Sequence, residues 1–433
     1  MPAPEKTTER EFDIVIYGAT GFTGLRTAMY LARTYKQGVR WAISGRSASK
    51  LEAVRDKLVA IDPALSNLTI IEADASSHES LEAMAARTKV VLTTVGPFMR
   101  YGEPLVAACI KQGTHYVDST GESPFVFDII QKHHEEARRK NIMVVPQCGF
   151  DSIPSELGTK MVVDFLRKEY NLSTKSAKLS VVKFRGTASG GTFASLSGML
   201  EAEGTGLGSL VDQNQLVPKE IASKLTPAKI SVPSTFYDKD FQRWQSYFVM
   251  SSTNEKMVKR SHALQIEADG VGYGPHFTYS ESMSSKGFFT AAITNFGVSI
   301  GGVALSIGPI RRFLEKHVFP PPGTGPTEEE LENGHFTMNI IGESELPENV
   351  SGDASSSAAV PIRAVAVVQG GEPGYTETCR YLVESALCIV KNENRIRAEN
   401  NITGGVLTPA FAFGQVLVDR LRALNVNVSV SKL

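Results

Sequence analysis

Gly18, Gly21 and Gly24 recur at three-residue spacing in Gly-Ala-Thr-Gly-Phe-Thr-Gly, directly after the apolar run Phe12–Tyr17. A chain passing from strand to helix needs residues without a Cβ for three reasons. It must turn tightly, let a ligand approach its backbone, and seat the helix close to the strand. The free amides of the helix's first turn, at the positive end of its dipole, suit a diphosphate. Thr20 and Thr23 offer hydroxyl donors, and Phe22 lies in the same turn. The spacing is a variant of the dinucleotide-binding fingerprint, and its place between a strand and a helix makes it specific. A glycine-rich turn that binds nothing is the alternative.

The end of the second strand reads Ser44-Gly45-Arg46-Ser47. A site for NAD places Asp or Glu here, to bond the ribose 2′-OH. This chain has an arginine, whose planar fork suits a 2′-phosphate, with Ser44, Ser47 and Lys50 near it in sequence. The expected cofactor is therefore NADP(H), with NADPH as the reductant. A surface arginine paired with a carboxylate is the alternative. Asp74, past the third strand, is expected beside the adenine. Val95, Gly96 and Pro97, at the end of the fourth, are expected on the nicotinamide side.

Hydride transfer is the cofactor's chemistry, so the protein must place the acceptor and supply or stabilise a proton. Tyr101, Asp118, Glu122, Cys148 and Asp151 fall at the C-terminal ends of strands and are the candidates. Each has a structural alternative. Asp118 and Glu122 could cap the following helix, Cys148 could be a small buried hydrophobe, and Asp151 with Ser152 could cap the helix at Pro154. None of the twelve tyrosines has Lys four residues later, which disfavours the Tyr-x-x-x-Lys proton donor of short-chain dehydrogenases.

The elements that must position these residues alternate regularly. Strands are predicted at Phe12–Tyr17, Val39–Ser44, Leu68–Glu72, Lys89–Val95, His115–Asp118 and Ile142–Pro146. Helices are predicted at Ser49–Ile61, at Ser77–Arg87 behind a Ser76-x-x-Glu79 capping box, and at Phe127–Lys140, where His133 and His134 read as a solvated face. Such alternation predicts an α/β fold with a parallel, doubly wound sheet in residues 1–150. Residues 151–403 read as an α+β substrate or oligomerisation domain. Its predicted elements are helices at Pro154–Lys168 and Thr376–Val390 and strands at Ala177–Arg185 and Pro361–Val368. Residues 186–208 are glycine-rich and 320–335 read as a loop or linker. Residues 404–433 hold a last helix opened by Thr408-Pro409.

A length of 433 residues favours two domains, and 42% hydrophobic against 21% charged residues is globular composition. A net charge of −1 offers no field for nucleic acid. Four scattered cysteines without a CxxC pair exclude a disulfide framework and give no zinc site, and no metal is expected.

Taken together, the motifs resemble those of the saccharopine dehydrogenase-like oxidoreductases, a family that includes mycobacterial trans-acting enoyl reductases. The resemblance runs nearly end to end. It rests on GATGFTG at 18–24, SGRS at 44–47, GPFMRYGEPLVAAC at 96–109, HYVDSTGE at 115–122, CGFDSIPSELG at 148–158 and GGVLTPAFAFG at 404–414. It implies a Rossmann domain, a second α+β domain, a C-terminal helix returning to the first, and nicotinamide-dependent redox chemistry.

Gly287–Ile310 carries no charge over 24 residues, with Lys286 before it and Arg311-Arg312 after. The length would span a bilayer, but five glycines, Asn295 and several Ser and Thr argue for a buried wall lining a greasy pocket. Contact with a membrane or lipid-droplet surface is the alternative. Saccharopine would need clustered cations, and Arg185, Arg243 and Arg260 are scattered. An apolar acyl substrate, an enoyl thioester for example, fits the greasy segment. A C=N reductase of an amino-acid adduct and a weakly catalytic lipid-surface protein are the rival readings, and a homo-oligomer is open. The terminal Ser431-Lys432-Leu433 has the form read by the peroxisomal import receptor, so a peroxisomal location is expected; an ordinary frayed tail, with the protein in the cytoplasm or at a lipid-droplet surface, is the alternative.

Overall fold

The computed structural model describes residues 9–186, 212–227, 232–319, 324–346 and 360–433. The first strand, β1 (Phe12–Tyr17), is buried along its whole length, as the central strand of a sheet covered on both faces must be. Around it lie β2 (Trp41–Gly45), β3 (Ile70–Glu72), β4 (Thr88–Thr93), β5 (His115–Asp118) and β6 (Met143–Val145). All are parallel, in the order β3-β2-β1-β4-β5-β6, with the two-residue strand Gly405–Val406 added beyond β6. The reversal of direction between β1 and β4 opens a crevice at their C-terminal ends, where open α/β sheets bind ligands.

The connecting helices are α1 (Phe22–Thr34), α2 (Ala48–Val59), α3 (His78–Ala85), α4 (Phe98–Gln112) and α5 (Ser123–Arg139). Alternate residues of β1 serve two cores. Val15 belongs to the core that holds Leu81, Leu105 and Phe125 from α3, α4 and α5, whereas Ile14 and Ile16 belong to the one that holds Leu31 and Leu51 from α1 and α2. Helix α3 is capped by Ser77, whose hydroxyl accepts from the Ser80 amide at 3.2 Å. The predicted Ser76–Glu79 box does not form, because Ser76 gives both its amide and its hydroxyl to Asp74. His134 is not on a solvated face either. It is buried, its Nδ1 accepts from the Val406 amide at 3.1 Å, and burial beside Arg260 lowers its pKa to about 4.

Helix α6 (Ile153–Tyr170) leads to the second sheet. Its strands are β7 (Thr174–Arg185), β8 (Phe236–Asp238), β9 (Arg243–Ser246), β10 (Thr278–Ser285), β11 (His335–Ser344) and β12 (Arg363–Gly370). Between them come α7 (Ser251–Asp269), α8 (Phe288–Ser306) and α9 (Gly308–His317), and after β12 come α10 (Thr378–Asn400), β13 (Gly405–Val406), α11 (Pro409–Ala423) and β14 (Asn427–Lys432). The order is β14-β12-β11-β7-β10-β9-β8, antiparallel except for β7 beside β10. The glycine-rich stretch lies outside the described residues from 187 onward.

One apolar core joins the sheets. Tyr381, Leu382 and Ala386 of α10 pack with Ile14, Leu31 and Val90 of the first sheet. Phe413 and Leu417 of α11 carry that core to Leu157 and Val162 of α6 and to Ile340 of β11. The C-terminal segment returns to the first sheet through β13, while α11 packs on α10 and α6. Thr408 caps α11, accepting from the Phe411 amide at 3.4 Å. Ser431 and Lys432 lie opposite Val365 and Ala364, and the Leu433 amide donates to the Arg363 carbonyl, so this tripeptide is paired in the sheet.

The segment 287–310 reverses its expectation. It is a helix, α8, followed by the start of α9, but of α8 only Ala291 and Asn295 are buried. Among the described residues it forms no buried wall.

Candidate active site

The glycine turn is shaped by three separate contacts. Gly18 has φ of +95°, and a Cβ there would lie 2.7 Å from Val95 Cγ2. Gly24 is buried, and a Cβ there would overlap the Gly18 carbonyl. Gly21 is different. It has an ordinary φ of −77°, is exposed, and its amide donates to the Gly18 carbonyl at 3.0 Å. The first and third glycines let the chain fold, and the second keeps the mouth of the turn open. Gly21 is also the N-cap of α1 and offers no side-chain cap, so the first-turn amides are left for a ligand. The Thr20 hydroxyl sits 3.8 Å from where a Cβ on Gly45 would be, at the end of β2. The Thr23 carbonyl accepts from the Thr27 hydroxyl. The Phe22 ring turns away from the crevice, edge-on to Tyr375 at 5.0 Å with the Arg26 guanidinium over it.

Beyond β2, Arg46 and Lys50 are exposed and have no hydrogen-bond or ion-pair partner among the described residues. Ser47 meets Ser49 at 3.3 Å. Ser44 contributes through its backbone: its carbonyl accepts from the Gly18 and Ala19 amides, and its own hydroxyl is buried without a partner. Asp74 is held below the usual carboxylate range by the Ser76 amide and hydroxyl, with a further pull from Arg46. An unpaired guanidinium thus stands beside an open glycine turn, a pair of features that fits an adenosine diphosphate carrying a 2′-phosphate.

At the end of β4, Val95 donates its amide to the Thr93 hydroxyl, and the Gly96–Pro97 bond is cis. Glu122 reaches back to this turn. Its carboxylate accepts from the Phe98 amide at 3.0 Å and the Met99 amide at 2.8 Å, so it serves the start of α4, the helix before its own. Tyr101 lies in the first turn of α4 under the Arg100 guanidinium, its hydroxyl without a partner among the described residues.

Asp118 is fully buried. It accepts from the Tyr116 hydroxyl at 2.7 Å and from the Thr120 and Gln147 amides at 2.9 Å, which ties the ends of β5 and β6 together. Burial nonetheless raises its pKa to about 7. Cys148 is buried too, its Sγ near the Val145 carbonyl, and burial pushes its thiol well above the ordinary range, so it behaves as a small apolar residue. Asp151 is the exception among the acids. It is part-exposed, its carboxylate has no hydrogen-bond partner among the described residues, and burial lifts its pKa to about 6. Its Oδ2 lies 3.0 Å from the position of a Cβ on Gly121, so the loops after β5 and β6 meet there. Ser152 is the N-cap of α6 but makes no side-chain cap, because its hydroxyl goes to Gln147 Oε1 at 2.7 Å.

Sequence reasoning missed the layer behind these loops. The Thr253 hydroxyl of α7 reaches the Gly121 carbonyl, and Asn254 bonds Ser155 and Glu281. Thr378 donates to the Pro373 carbonyl and accepts from the Phe150 amide. Thr94 Oγ1 is buried without a partner against Gly18 and Gly24. Among the described residues no group of His, Cys, Asp or Glu is placed to hold a metal.

The profile of the saccharopine dehydrogenase NADP binding domain matches residues 14–145, from within β1 to the end of β6. A trans-acting enoyl reductase of Mycobacterium ulcerans is 35% identical over 448 residues, covering 99% of this chain and 99% of its own. One from Mycobacterium tuberculosis is 36% identical over 449 residues, covering 98% and 99%. Among solved structures, apo saccharopine dehydrogenase (L-Glu forming) from Saccharomyces cerevisiae superposes with a TM-score of 0.52 at 13% identity, over 98% of this chain and 100% of that one, a likeness of fold.

Proposed function

The chain belongs to the saccharopine dehydrogenase-like oxidoreductases, and from that we propose that it reduces an enoyl or other lipid-like acyl substrate with NADPH. The observation that carries this reading is Asp151, a part-exposed carboxyl group with no competing partner among the described residues, at the C-terminal edge of the parallel sheet. When bound, NADPH supplies a hydride to the β carbon of a C=C bond conjugated with a carbonyl. The α carbon must then gain a proton. With its pKa near 6, Asp151 keeps a protonated fraction near neutral pH, gives that proton from its carboxyl oxygen, and reloads from water.

The other residues hold the reactants. Gly21 and the first-turn amides of α1 take the diphosphate, and Arg46, helped by Lys50, takes the 2′-phosphate. Glu122 holds Phe98 and Met99 at the start of α4, directly after the turn at Val95–Pro97, and Asp118 fixes the loop that carries Asp151. The end-to-end relatives bear the name trans-acting enoyl reductase, which favours a C=C over a C=N substrate.

The test is NADPH consumption by the purified protein with enoyl thioesters, against consumption with an α-keto acid plus an amino acid. Formation of the saturated thioester is expected. Turnover only of the keto acid and amine would overturn the acyl assignment and leave the oxidoreductase one standing.

A further inference from the structure

Helix α8 is the one described helix long and apolar enough to cross a membrane, and it stands outside the fold. Phe289 is 79% exposed, Ile293 72% and Phe296 68%, and none of residues 296–306 is buried. The base is anchored. Asn295 accepts from the Tyr247 amide at 2.7 Å and donates to the Thr235 hydroxyl at 2.8 Å, and Phe288 packs edge-on to Trp244 at 5.1 Å. Past that base, a Cβ on Gly297, Gly301, Gly302 or Gly308 would meet nothing within 4 Å.

Beyond Thr290, which is exposed at the base, the hydroxyls of this helix do not need water. The Thr294, Ser299 and Ser306 hydroxyls each donate to the carbonyl four residues back, at 2.8 to 3.0 Å. A helix whose apolar side chains are exposed and whose hydroxyls are satisfied internally suits a hydrocarbon phase. The charges sit at its ends. Lys286 precedes it, and Arg311, Arg312 and Lys316 follow on α9 against the single acid Glu315, in a molecule of net charge −1.

The connections decide how deep it goes. Helix α8 is about 28 Å long, enough for a hydrocarbon core, but it breaks at Ile307, which is extended with φ of −91° and ψ of 106°, and α9 is only about 15 Å long, with four ionisable side chains at 311–316. Upstream, β10 belongs to the second sheet; downstream, Glu328 pairs with Arg26 of α1 at 2.6 Å. Both ends of the hairpin return to one folded body, so it cannot leave that body on the far side of a bilayer.

We propose that α8 and α9 form a hairpin that inserts into one leaflet of an anionic phospholipid surface, with Phe289, Ile293, Phe296, Ile300 and Val303 in the acyl layer and Lys286, Arg312 and Lys316 among the headgroups. Two copies meeting along α8 would bring cationic ends together in either orientation, which disfavours a dimer here.

The test is flotation of the full chain with vesicles of phosphatidylcholine alone or mixed with phosphatidylserine, beside its mass in solution. Phe289→Glu with Phe296→Glu alters only exposed positions, so folding is retained and thermal unfolding checks it. The wild type is expected to float with the mixed vesicles, the double variant about tenfold less or worse. Arg312→Glu with Lys316→Glu is expected to remove the preference for phosphatidylserine. Absence of flotation, or equal flotation of the apolar double variant, overturns the proposal. So does a dimer that the double variant splits while neither protein binds vesicles. Equal binding to neutral vesicles overturns the headgroup assignment.

Discussion

The carbonyl of Gly18 occupies the space that a side chain on Gly24 would need. Gly21, midway between them, is exposed, and a Cβ there would lie 3.3 Å from that same carbonyl, a tight contact and not an overlap. The three glycines therefore fail differently when replaced. Gly24→Ala must push α1 away from β1 and is expected to cost about 3 kcal/mol, the scale of overpacking against backbone. Gly21→Ala is expected to cost about 1 kcal/mol or less, yet to weaken NADPH binding about tenfold or more by filling the approach to the first-turn amides. Chemical denaturation and a fluorescence titration with NADPH separate the two effects. Equal destabilisation with unchanged affinity at Gly21 would remove the cofactor from this turn.

Arg46 makes no hydrogen bond or ion pair among the described residues and exerts only a minor pull on exposed Asp74, so its removal costs the fold little. Arg46→Ala is expected to leave stability unchanged and to weaken NADPH binding by about 1.5–3 kcal/mol, while NADH binding barely moves. Isothermal titration with both nucleotides measures this. Equal losses would mean that the guanidinium does not meet the 2′-phosphate.

Asp151 joins a catalytic prediction to a stability prediction of opposite sign. If it delivers the proton, Asp151→Asn lowers kcat by about 10²- to 10⁴-fold. In the wild type kcat falls as pH rises above about 6, because the carboxyl form is lost. The same substitution removes a charge that the fold disfavours. A carboxyl raised from 3.8 to about 6 carries no penalty below pH 4 and its full penalty above pH 6. At pH 8 the variant is therefore expected to be more stable than the wild type, by about 1–2 kcal/mol after allowance for its partial exposure. Lower activity together with lower stability would mark Asp151 as structural.

Glu156 gives a pH signal away from the crevice. It is buried, Oε2 accepts from the Ser261 hydroxyl at 2.7 Å and the Ala410 amide at 3.1 Å, and Oε1 has no partner. Burial raises its pKa from 4.5 to about 7. The folded state thus prefers the protonated form, and its contribution is complete below about pH 4.5 and lost as pH rises through 7. Unfolding free energy in urea is expected to drop from pH 5 to pH 8, and Glu156→Gln to flatten that slope. An unchanged slope would assign the pH dependence to Asp118 and Glu281, which burial also raises to about 7.

The first sheet was legible because each strand is an apolar run and each helix has one apolar stripe; β1 and β5 fall on their predicted bounds. The second sheet hides its pattern. Strands β7, β9 and β10 bury polar residues, with Ser180 and Ser282 bonded to Gln245 and Ser180 also to Ser284. Helix α7 buries Asn254, Glu255, Lys259, Arg260 and His262, so no apolar stripe marks its inner face. In α8 the composition was legible and the burial inverted, because an uncharged run does not say what surrounds it. At the site, glycine spacing and Arg46 carried their position in the sequence. That Glu122 would serve the preceding helix, and Asp118 a junction of two strands, depended on loops meeting in space.

The last thirty residues work as a stitch. They enter the first sheet at Gly405–Val406, cross through α11, and finish as the outer strand of the second sheet. A hinge opening of the crevice would have to tear one of these seams, so the two halves are expected to behave as one piece. Substrate must then enter by motion of loops around a preset floor. Loss of the final segment, whether by a premature stop or by a protease, would expose the edges of both sheets at once.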